Sequence, residues 1–267
     1  MNVQTDGSLQ ELSEDECRHI EGVQALVVRN KQFSAWLSLD TKNIDVRTHI
    51  NFLSDVDDFP KKPRCTAKMK NNLHTFSSLQ GVMNSANLDQ VAEAGLTQTL
   101  LTIGRTMQDS VDEMGTRIYN ALKKNSSSWV LLNVASLYWR VQGDTVEAIK
   151  CLRQALYFSP SNARDVAHVG LASILLREGQ LDDTAVVIKK ALEISPSLAL
   201  GHFILGNVFG AQSKIPEAIQ HYLLALQLEP GFTPAVERLK IIQCVLWKQQ
   251  KALEKEAADL KKLLTPS

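Results

Sequence analysis

The side chains that most often carry catalysis or bind metals are few and scattered in this sequence. Its 267 residues include six histidines and four cysteines, and no two cysteines have the close spacing that is typical of a zinc site. Asp55, Asp57 and Asp58 form a short acidic run, but the run lacks the glycine and distal glutamate of a calcium-binding EF-hand. The motifs for phosphate-binding loops and nucleophile elbows are absent. The sequence therefore predicts a protein that is not an enzyme and uses no metal or cofactor.

The four cysteines, Cys17, Cys65, Cys151 and Cys244, are separated by 48, 86 and 93 residues. These separations do not indicate a disulfide scaffold, and reduced thiols in a reducing compartment are the simpler interpretation. One or two disulfides remain open as the alternative. Asn125, Ser126 and Ser127 form an N-glycosylation motif, which has meaning only outside the cytosol.

Charge and hydrophobicity limit the kinds of partner. The chain has 29 basic and 29 acidic residues, which argues against binding of nucleic acid. The longest apolar-looking stretch, residues 198–211, is too short to span a membrane. The first residues do not resemble a signal peptide. We therefore expect a cytoplasmic protein, free or associated with cytoskeleton or membrane, and the secretory pathway stays open if the chain is a fragment.

Internal repetition predicts the fold. Pro160, Pro196 and Pro230 each end a similar phrase of helix-forming residues, 36 and 34 residues apart. The second separation is the period of the tetratricopeptide repeat, a helix-turn-helix unit. The sequence therefore predicts an all-α fold, an α-solenoid of three such repeats.

Small and large residues recur at equivalent places of the three units. Small residues belong where helices cross closely, and large ones fill the spaces between crossings. His168 and His202 occupy equivalent places as well, which predicts that they pack rather than bind metal. The predicted repeat-packing residues are Ser136, Trp139, Ala148, Ala155, Pro160, Ala172, Leu175, Ala191, Pro196, Gly206, Phe209, Ala218, Tyr222, Ala225 and Pro230.

The predicted organisation has four parts. Residues 1–73 are polar and rich in turns, so we expect a largely irregular region with one helix near 14–28. Residues 74–125 form a helical lead-in, with a helix at 88–103 and a capping box of Ser110 and Glu113 before the next helix. The repeats cover 126–232, at about 129–162, 165–198 and 199–232. A long capping helix follows over 233–264, and its charged second half indicates a solvated or coiled-coil arm.

Part of the sequence resembles the tetratricopeptide repeat protein 17 family. The resemblance covers residues 64–260, and residues 127–140 are its most specific part. Matching residues are Ser127 to Leu131, Asn133 to Arg140, Cys65-Thr66, Leu79 to Val82, Gly231-Phe232 and Cys244. It implies a non-enzymatic scaffold with a role in actin polymerisation and the formation of primary cilia, whose partners are actin-regulatory or cytoskeletal proteins.

The first helices of stacked repeats line a concave groove, and here that face is mostly apolar. We expect it to bind an apolar or amphipathic segment of a protein partner, with Arg140 and Arg177 available to acidic groups. Occupation by the chain's own N-terminal segment is the alternative. The predicted groove residues are Val130, Asn133, Leu137, Arg140, Val141, Val166, Val169, Ser173, Leu176, Arg177, Leu200, Phe203 and Asn207.

The sequence argues against one other function and leaves a second as the alternative. Some tetratricopeptide proteins bind the carboxylate at the C-terminus of Hsp70 or Hsp90 with Lys, Arg and Asn. Here the corresponding places hold Asn133, Leu137, Gly170, Leu200 and Ile204, so this clamp is not expected. A regulatory or targeting module of an enzyme whose catalytic part lies outside this chain is the alternative to a scaffold.

Overall fold

The structure is a computed structural model that describes residues 14–20, 22, 24–53, 59–103 and 109–264. All regular secondary structure in this part of the chain is helical, which confirms the all-α prediction. The α-helices are α1 (Glu14–Cys17), α2 (Gln24–Gln32), α3 (Gln80–Met83), α4 (Thr97–Thr102), α5 (Val111–Lys124), α6 (Trp129–Gln142), α7 (Thr145–Phe158), α8 (Arg164–Arg177), α9 (Leu181–Ile194), α10 (Ala199–Ala211), α11 (Ile215–Leu228) and α12 (Thr233–Leu264). Short 3₁₀ helices lie at Leu39–Lys42, Val46–Thr48, Ser85–Asn87, Ala94–Leu96 and Ser161–Ala163.

The chain forms two compact units. The central unit is Lys31–Ser197, and the terminal unit combines Met1–Asn30 with Leu198–Ser267. Within each unit the repeat helices pack in consecutive pairs, α6 with α7 and α8 with α9 in the central unit and α10 with α11 in the terminal unit. This pairing is the arrangement of an α-solenoid.

Local signals set the ends of the repeat helices. The hydroxyl of Ser128 accepts a hydrogen bond from the backbone N–H of Leu131 at the start of α6, and Gly143 ends that helix with a positive φ of 81°. Asp144 then caps α7 by accepting from the N–H of Glu147. A turn of two residues therefore reverses the chain between the paired helices, because glycine adopts the left-handed conformation without steric cost.

The first helix of each repeat in the central unit, α6 and α8, is buried on every side. Residues 130–141 of α6 and 165–176 of α8 are all buried. A helix with an open groove on one face would show an exposed stripe there. The inner face of these two repeats is therefore covered.

Helix α5 is the last helix before the repeats. The predicted capping box is confirmed: the hydroxyl of Ser110 accepts from the N–H of Glu113, and the Glu113 carboxylate accepts from the N–H of Ser110. A Cβ on Gly115 would lie 2.5 Å from Cε2 of Tyr138. The absence of a side chain at Gly115 therefore lets α5 approach α6 closely.

The prediction of one continuous helix at 88–103 was wrong. Regular helix in this stretch is limited to Ala94–Leu96 and Thr97–Thr102. The Asp89 carbonyl instead accepts from the Thr145 hydroxyl at 2.8 Å, and the Glu93 N–H donates to the Arg140 carbonyl at 2.9 Å. The backbone before residue 94 therefore binds the ends of the repeat helices instead of forming helical hydrogen bonds.

The N-terminal region holds two helices, α1 and α2, where one was expected near 14–28. In the terminal unit, α12 is 32 residues long. Its first half buries Leu239, Ile242 and Val245, whereas all of residues 249–264 are exposed. The first half thus packs against α11, and the second half is surrounded by solvent.

No helix in the described part of the chain combines the length and the apolar character that crossing a membrane requires.

Candidate functional site

The predicted groove residues of the central unit are buried. Arg177 retains only a small exposed fraction of its side chain, 12%. Because these side chains come from the inner face of α6 and α8, another part of the same unit covers that face. The fully buried ones are Val130, Asn133, Leu137, Arg140, Val141, Val166, Val169, Ser173 and Leu176.

The covering segment follows directly after α2. The backbone N–H of Ala35 donates to the hydroxyl of Ser173 at 2.9 Å, and the Ala35 carbonyl accepts from Nη1 of Arg140 at 2.8 Å. Leu37 and Leu39 of the same segment are also buried. We call residues 33–50 the inner segment. Its backbone at Ala35 lies against α6 and α8, where the sequence predicted a partner.

The guanidinium of Arg140 is at the centre of this contact. Its Nε and Nη2 donate to the two carboxylate oxygens of Glu93 at 2.7 and 2.8 Å, and Nη2 also donates to Ser173 at 2.9 Å. With the bond to Ala35, all four acceptors belong to the chain itself. The acidic group expected from a partner is therefore Glu93 of this chain.

The charge state of Glu93 depends on these cations. Burial by itself would raise the pKa of this carboxyl, but the charge and hydrogen bonds of Arg140, with smaller contributions from Ser34 and Arg177, hold the pKa below its ordinary value. Arg177 Nε lies 3.7 Å from Oε2 of Glu93. A buried carboxylate stays ionised here because paired charges and satisfied hydrogen bonds offset its loss of hydration.

A second polar contact holds the inner segment further along. Nζ of Lys42 lies 2.5 Å from Oδ2 of the buried Asp165 at the start of α8, and the Ser195 hydroxyl donates to the same oxygen at 2.7 Å. Lys42 also donates to Ser195 at 3.2 Å. The inner segment is therefore attached to both helices of the second repeat.

Two further segments before the repeats contact the second helices of the central unit. The amide of Gln154 on α7 donates to the Cys65 carbonyl at 2.6 Å and accepts from the Ala67 N–H at 3.0 Å. The Gly81 N–H donates to the Asp183 carboxylate at 2.7 Å. Residues 65–67 therefore bind α7, and Gly81 binds α9, the second helices of the two central repeats.

In the terminal unit, α2 contacts part of the face that holds the predicted groove residues. Phe203 and Asn207 are buried and Leu200 is half-buried. Nδ2 of Asn30 donates to the Asn207 carbonyl at 3.3 Å, and a Cβ on Gly210 would lie 3.1 Å from Cδ1 of Leu26. Helix α2 thus contacts this face at Asn207 and Gly210.

Arg238 of α12 completes this packing. Its guanidinium lies 5.9 Å from the ring centroid of Phe203 and donates to the Leu26 carbonyl at 3.4 Å. Burial lowers the pKa of Arg238 to about 10. The cation rests on an aromatic face and a backbone oxygen, which partly replace the water it has lost.

The four cysteines form two disulfides, so the expectation of reduced thiols was wrong and the alternative of two bridges is right. Cys17 is joined to Cys244 in the terminal unit and Cys65 to Cys151 in the central unit, with Cα–Cα distances of 5.1 and 5.2 Å. The first bridge joins α1 to α12, and the second joins Cys65, in the N-terminal region, to α7. Disulfides form and persist in oxidising compartments.

The chain has curated relatives. It is 39% identical to tetratricopeptide repeat protein 17 of Rattus norvegicus and of Homo sapiens over 236 residues, which are 88% of this chain and 19% and 20% of those proteins. The protein of the same name from Danio rerio is 37% identical over 234 residues, 87% of this chain and 19% of its own length. This chain is a relative of tetratricopeptide repeat protein 17. The resemblance to that family expected from the sequence is therefore confirmed, while no family model matches the chain.

The chain spans about one fifth of the length of these tetratricopeptide repeat protein 17 relatives. The family name and the paired helices agree on the tetratricopeptide repeat, and both support a protein-interaction scaffold.

The repeat-packing residues have different environments in this relative of the family. Phe209 is half-buried and stacks on His221 at a centroid distance of 5.3 Å. The three phrase-ending prolines, Pro160, Pro196 and Pro230, are exposed at the turns. The buried ones are Ser136, Trp139, Ala148, Ala155, Ala172, Leu175, Ala191, Gly206, Ala218, Tyr222 and Ala225.

The two equivalent histidines have separate neighbours. His168 is buried with its ring edge-on to Phe76 at 5.5 Å, and burial lowers its pKa to about 3. His202 stacks on His221, with their Nδ1 atoms 3.3 Å apart. No cluster of three metal-binding side chains lies in the part of the chain that the structure describes, and the acidic run at Asp55, Asp57 and Asp58 is outside that part.

Sequence reasoning named the chain's own N-terminal segment as the alternative occupant of the groove, but it did not identify residues 33–50 within that segment or the partner residue Glu93. The inner segment has no helical periodicity, and its two hydrogen bonds at Ala35 are made by backbone groups that carry no sequence signal. Glu93 lies 47 residues from Arg140. The available signal was the pair of basic residues Arg140 and Arg177 on a mostly apolar face, which indicated that an acidic group lies opposite them.

Proposed function

We propose that this chain is a non-enzymatic scaffold for protein–protein interaction and that the groove of its first two repeats is used within the chain. In this proposal the inner segment acts as an internal ligand, and protein partners bind the exposed surfaces of the scaffold. The observation that supports it best is the buried guanidinium of Arg140, whose four hydrogen-bond acceptors all belong to the same chain.

The contacts of the inner segment resemble those of a bound peptide. The backbone gives and receives one hydrogen bond at Ala35, alternate side chains at Ala35, Leu37 and Leu39 are buried, and Lys42, in the 3₁₀ helix that follows, forms an ion pair with Asp165. Peptide grooves recognise ligands by the same combination of backbone bonds and side-chain pockets. The groove thus keeps the binding chemistry of its class while its ligand is covalently attached.

A labelled peptide with the sequence of residues 33–50 tests this assignment. We expect no binding to the intact chain, because the attached segment is always at a high effective concentration. Leu37→Glu combined with Leu39→Glu should loosen the attached segment and allow the peptide to bind. Gln32→Glu, at an exposed position before the segment, is the matched control and should not. Tight binding of the peptide to the unmodified chain would show that the groove is open to partners.

Partners on the exposed surface can be mapped by crosslinking the full chain in extracts of its source cells. Val186 on α9 is 46% exposed and offers an apolar anchor on the outer face of the second repeat. Val186→Glu should weaken a partner that binds this face. The inner-face variant Leu176→Ala, once shown to be folded, should leave the same partner bound.

Actin polymerisation and cilium assembly, which the family resemblance implies, form the finer part of the proposal. A direct test adds the oxidised full chain to an actin polymerisation assay and compares it with buffer. A changed rate of filament growth supports a direct role. The two disulfides weigh against direct contact, since actin is a cytosolic protein and disulfides persist outside the cytosol. If the rate is unchanged, the scaffold is assigned to partners in an oxidising compartment.

A further inference from the structure

The C-terminal part of α12, from Leu246 onward, exposes leucines at a regular interval. Leu246, Leu253 and Leu260 stand seven residues apart and are 43%, 65% and 59% exposed. Leu264, near the end of the helix, is 79% exposed. Contact between water and leucine side chains aligned on one side of a helix is unfavourable, and covering them with another surface lowers the free energy.

The spacing continues between these leucines. Alternating steps of four and three residues connect six positions along one stripe of the helix, which is the seam of a coiled coil with leucine at d. The charged residues of this half lie almost entirely off the stripe. The d positions are Leu246, Leu253 and Leu260, and the a positions are Gln250, Ala257 and Leu264.

We propose that residues 246–264 of α12 form a parallel two-stranded coiled coil with the same residues of a second copy of this chain. Leucine at every d position favours two parallel strands. Gln250 at an a position would face Gln250 of the second copy and can hydrogen-bond to it, whereas a shifted register would bury it against an apolar residue.

The charges beside the stripe also favour a second copy in the parallel direction. In a parallel pair, the g residue Glu256 faces the e residue Lys261 of the other helix, and these charges attract. In an antiparallel pair centred on the same stripe, Glu256 would face Glu256 of the other copy. The seam is therefore complementary to itself in one orientation.

The anchored first half of α12 makes a short coiled coil feasible. Fewer than three heptads are seldom stable as free peptides, because the first helical turn is costly to form. Here Ile242, Cys244 and Val245 are buried, and Cys244 is bonded to Cys17. The helix therefore already exists before the copies meet, and association has only to bring the two seams together.

The mass of the intact oxidised chain in solution tests the proposal. Light scattering after size exclusion, over a hundredfold range of concentration, should show a change from the 29.7 kDa chain to twice that mass. Leu253→Glu combined with Leu260→Glu should keep the monomer mass throughout. Ala252→Glu combined with Ala258→Glu, on the outward face of the same helix, is the matched control and should still dimerise.

Both leucine positions are exposed, so circular dichroism should show unchanged helix content in every variant. A single Leu253→Cys variant gives the orientation, since the native cysteines are paired. In a parallel dimer it should form a disulfide-linked dimer on oxidation, and Lys255→Cys should not. A native chain that stays monomeric at the highest concentration overturns the proposal, as does a dimer that survives both leucine substitutions.

Discussion

At the scale of single residues, the inner face of the central unit contains a buried pair of charged side chains, Arg140 and Glu93. Arg140 and Glu93 are 2% and 5% exposed, and two hydrogen bonds join them. Such a pair contributes little net stability compared with apolar residues, but loss of one partner leaves an uncompensated buried charge. The pair therefore determines the position of the inner segment and contributes little to the net stability of the unit.

Arg140→Met should lower the free energy of unfolding by about 3–5 kcal/mol, because Glu93 is then buried without its cation. Adding Glu93→Leu should recover a large part of the loss. Lys190→Met removes an exposed pair with Glu193 and should cost less than about 1 kcal/mol. Urea unfolding at neutral pH measures all three, and equal costs for Arg140→Met and Lys190→Met would contradict the buried pair.

His168 should make stability depend on pH. Its pKa in the folded chain is about 3, so between its ordinary pKa and that value only the unfolded chain binds the proton. Stability is then complete above pH about 6.5 and falls by up to about 1.4 kcal/mol per pH unit below it. Nδ1 of His168 has no hydrogen-bond partner in the described residues, so Leu is tolerable there.

The measurement compares urea unfolding of His168→Leu with the native chain from pH 7 to pH 4. The variant should lose the part of the slope that begins near neutrality. His49→Leu, at an exposed position, is the control and should keep the native slope. A native slope in His168→Leu would mean that other groups carry the acid sensitivity.

At the scale of helices, close approach depends on small residues at the crossings. A Cβ on Gly206 would lie 2.7 and 2.8 Å from two ring atoms of Tyr222 and 3.3 Å from the Ala218 carbonyl. The Tyr222 hydroxyl also donates to Oδ1 of Asn207 at 2.9 Å. The ring is thus fixed at both ends and has little room to move.

Gly206→Leu should therefore destabilise the terminal unit by about 1–3 kcal/mol through overpacking. Gly231→Leu is the matched control, since a Cβ on Gly231 meets no atom within 4 Å. Circular dichroism during thermal unfolding measures the melting temperature of each variant. Equal melting temperatures for the two variants would show that α10 and α11 do not cross at Gly206.

The paired helices could be predicted from sequence because each repeat carries the same pattern of small and large residues. The capping box at Ser110 was predictable for a similar reason, as both of its partners lie within one turn. The conformation of residues 89–93 was not, since Asp89 and Glu93 take their partners from Thr145 and Arg140. Local periodicity contains no information about such distant partners, and tertiary contacts override helix propensity there.

At the scale of the whole molecule, the fold includes two disulfides, which require oxidising conditions to form. Their sequence separations are 227 and 86 residues, too long for any spacing rule, so the sequence left the pairing open. Large loops closed by a covalent bond remove many unfolded conformations, and each bridge is worth about 2–5 kcal/mol by that argument. The compartment and the stability are thus linked.

An oxidising compartment predicts a further modification. Asn125 is exposed in the turn after α5, and the hydroxyl of Ser127 donates to its side-chain oxygen at 3.4 Å. We expect an N-glycan on Asn125 in protein purified from its source cells, detected by mass spectrometry before and after enzymatic deglycosylation. Asn125→Gln and Ser127→Ala should each abolish it. An unmodified Asn125 together with cysteines that react with maleimide would place the chain in the cytosol.

The bridge between Cys17 and Cys244 has one more consequence. It joins two points near the beginning and the end of the described chain, so the main chain from 18 to 243 is closed into a covalent ring. A protease that cuts this ring once opens it without releasing a fragment. The nicked protein would keep its full mass on a gel run without reductant and separate into two pieces only after the disulfides are reduced.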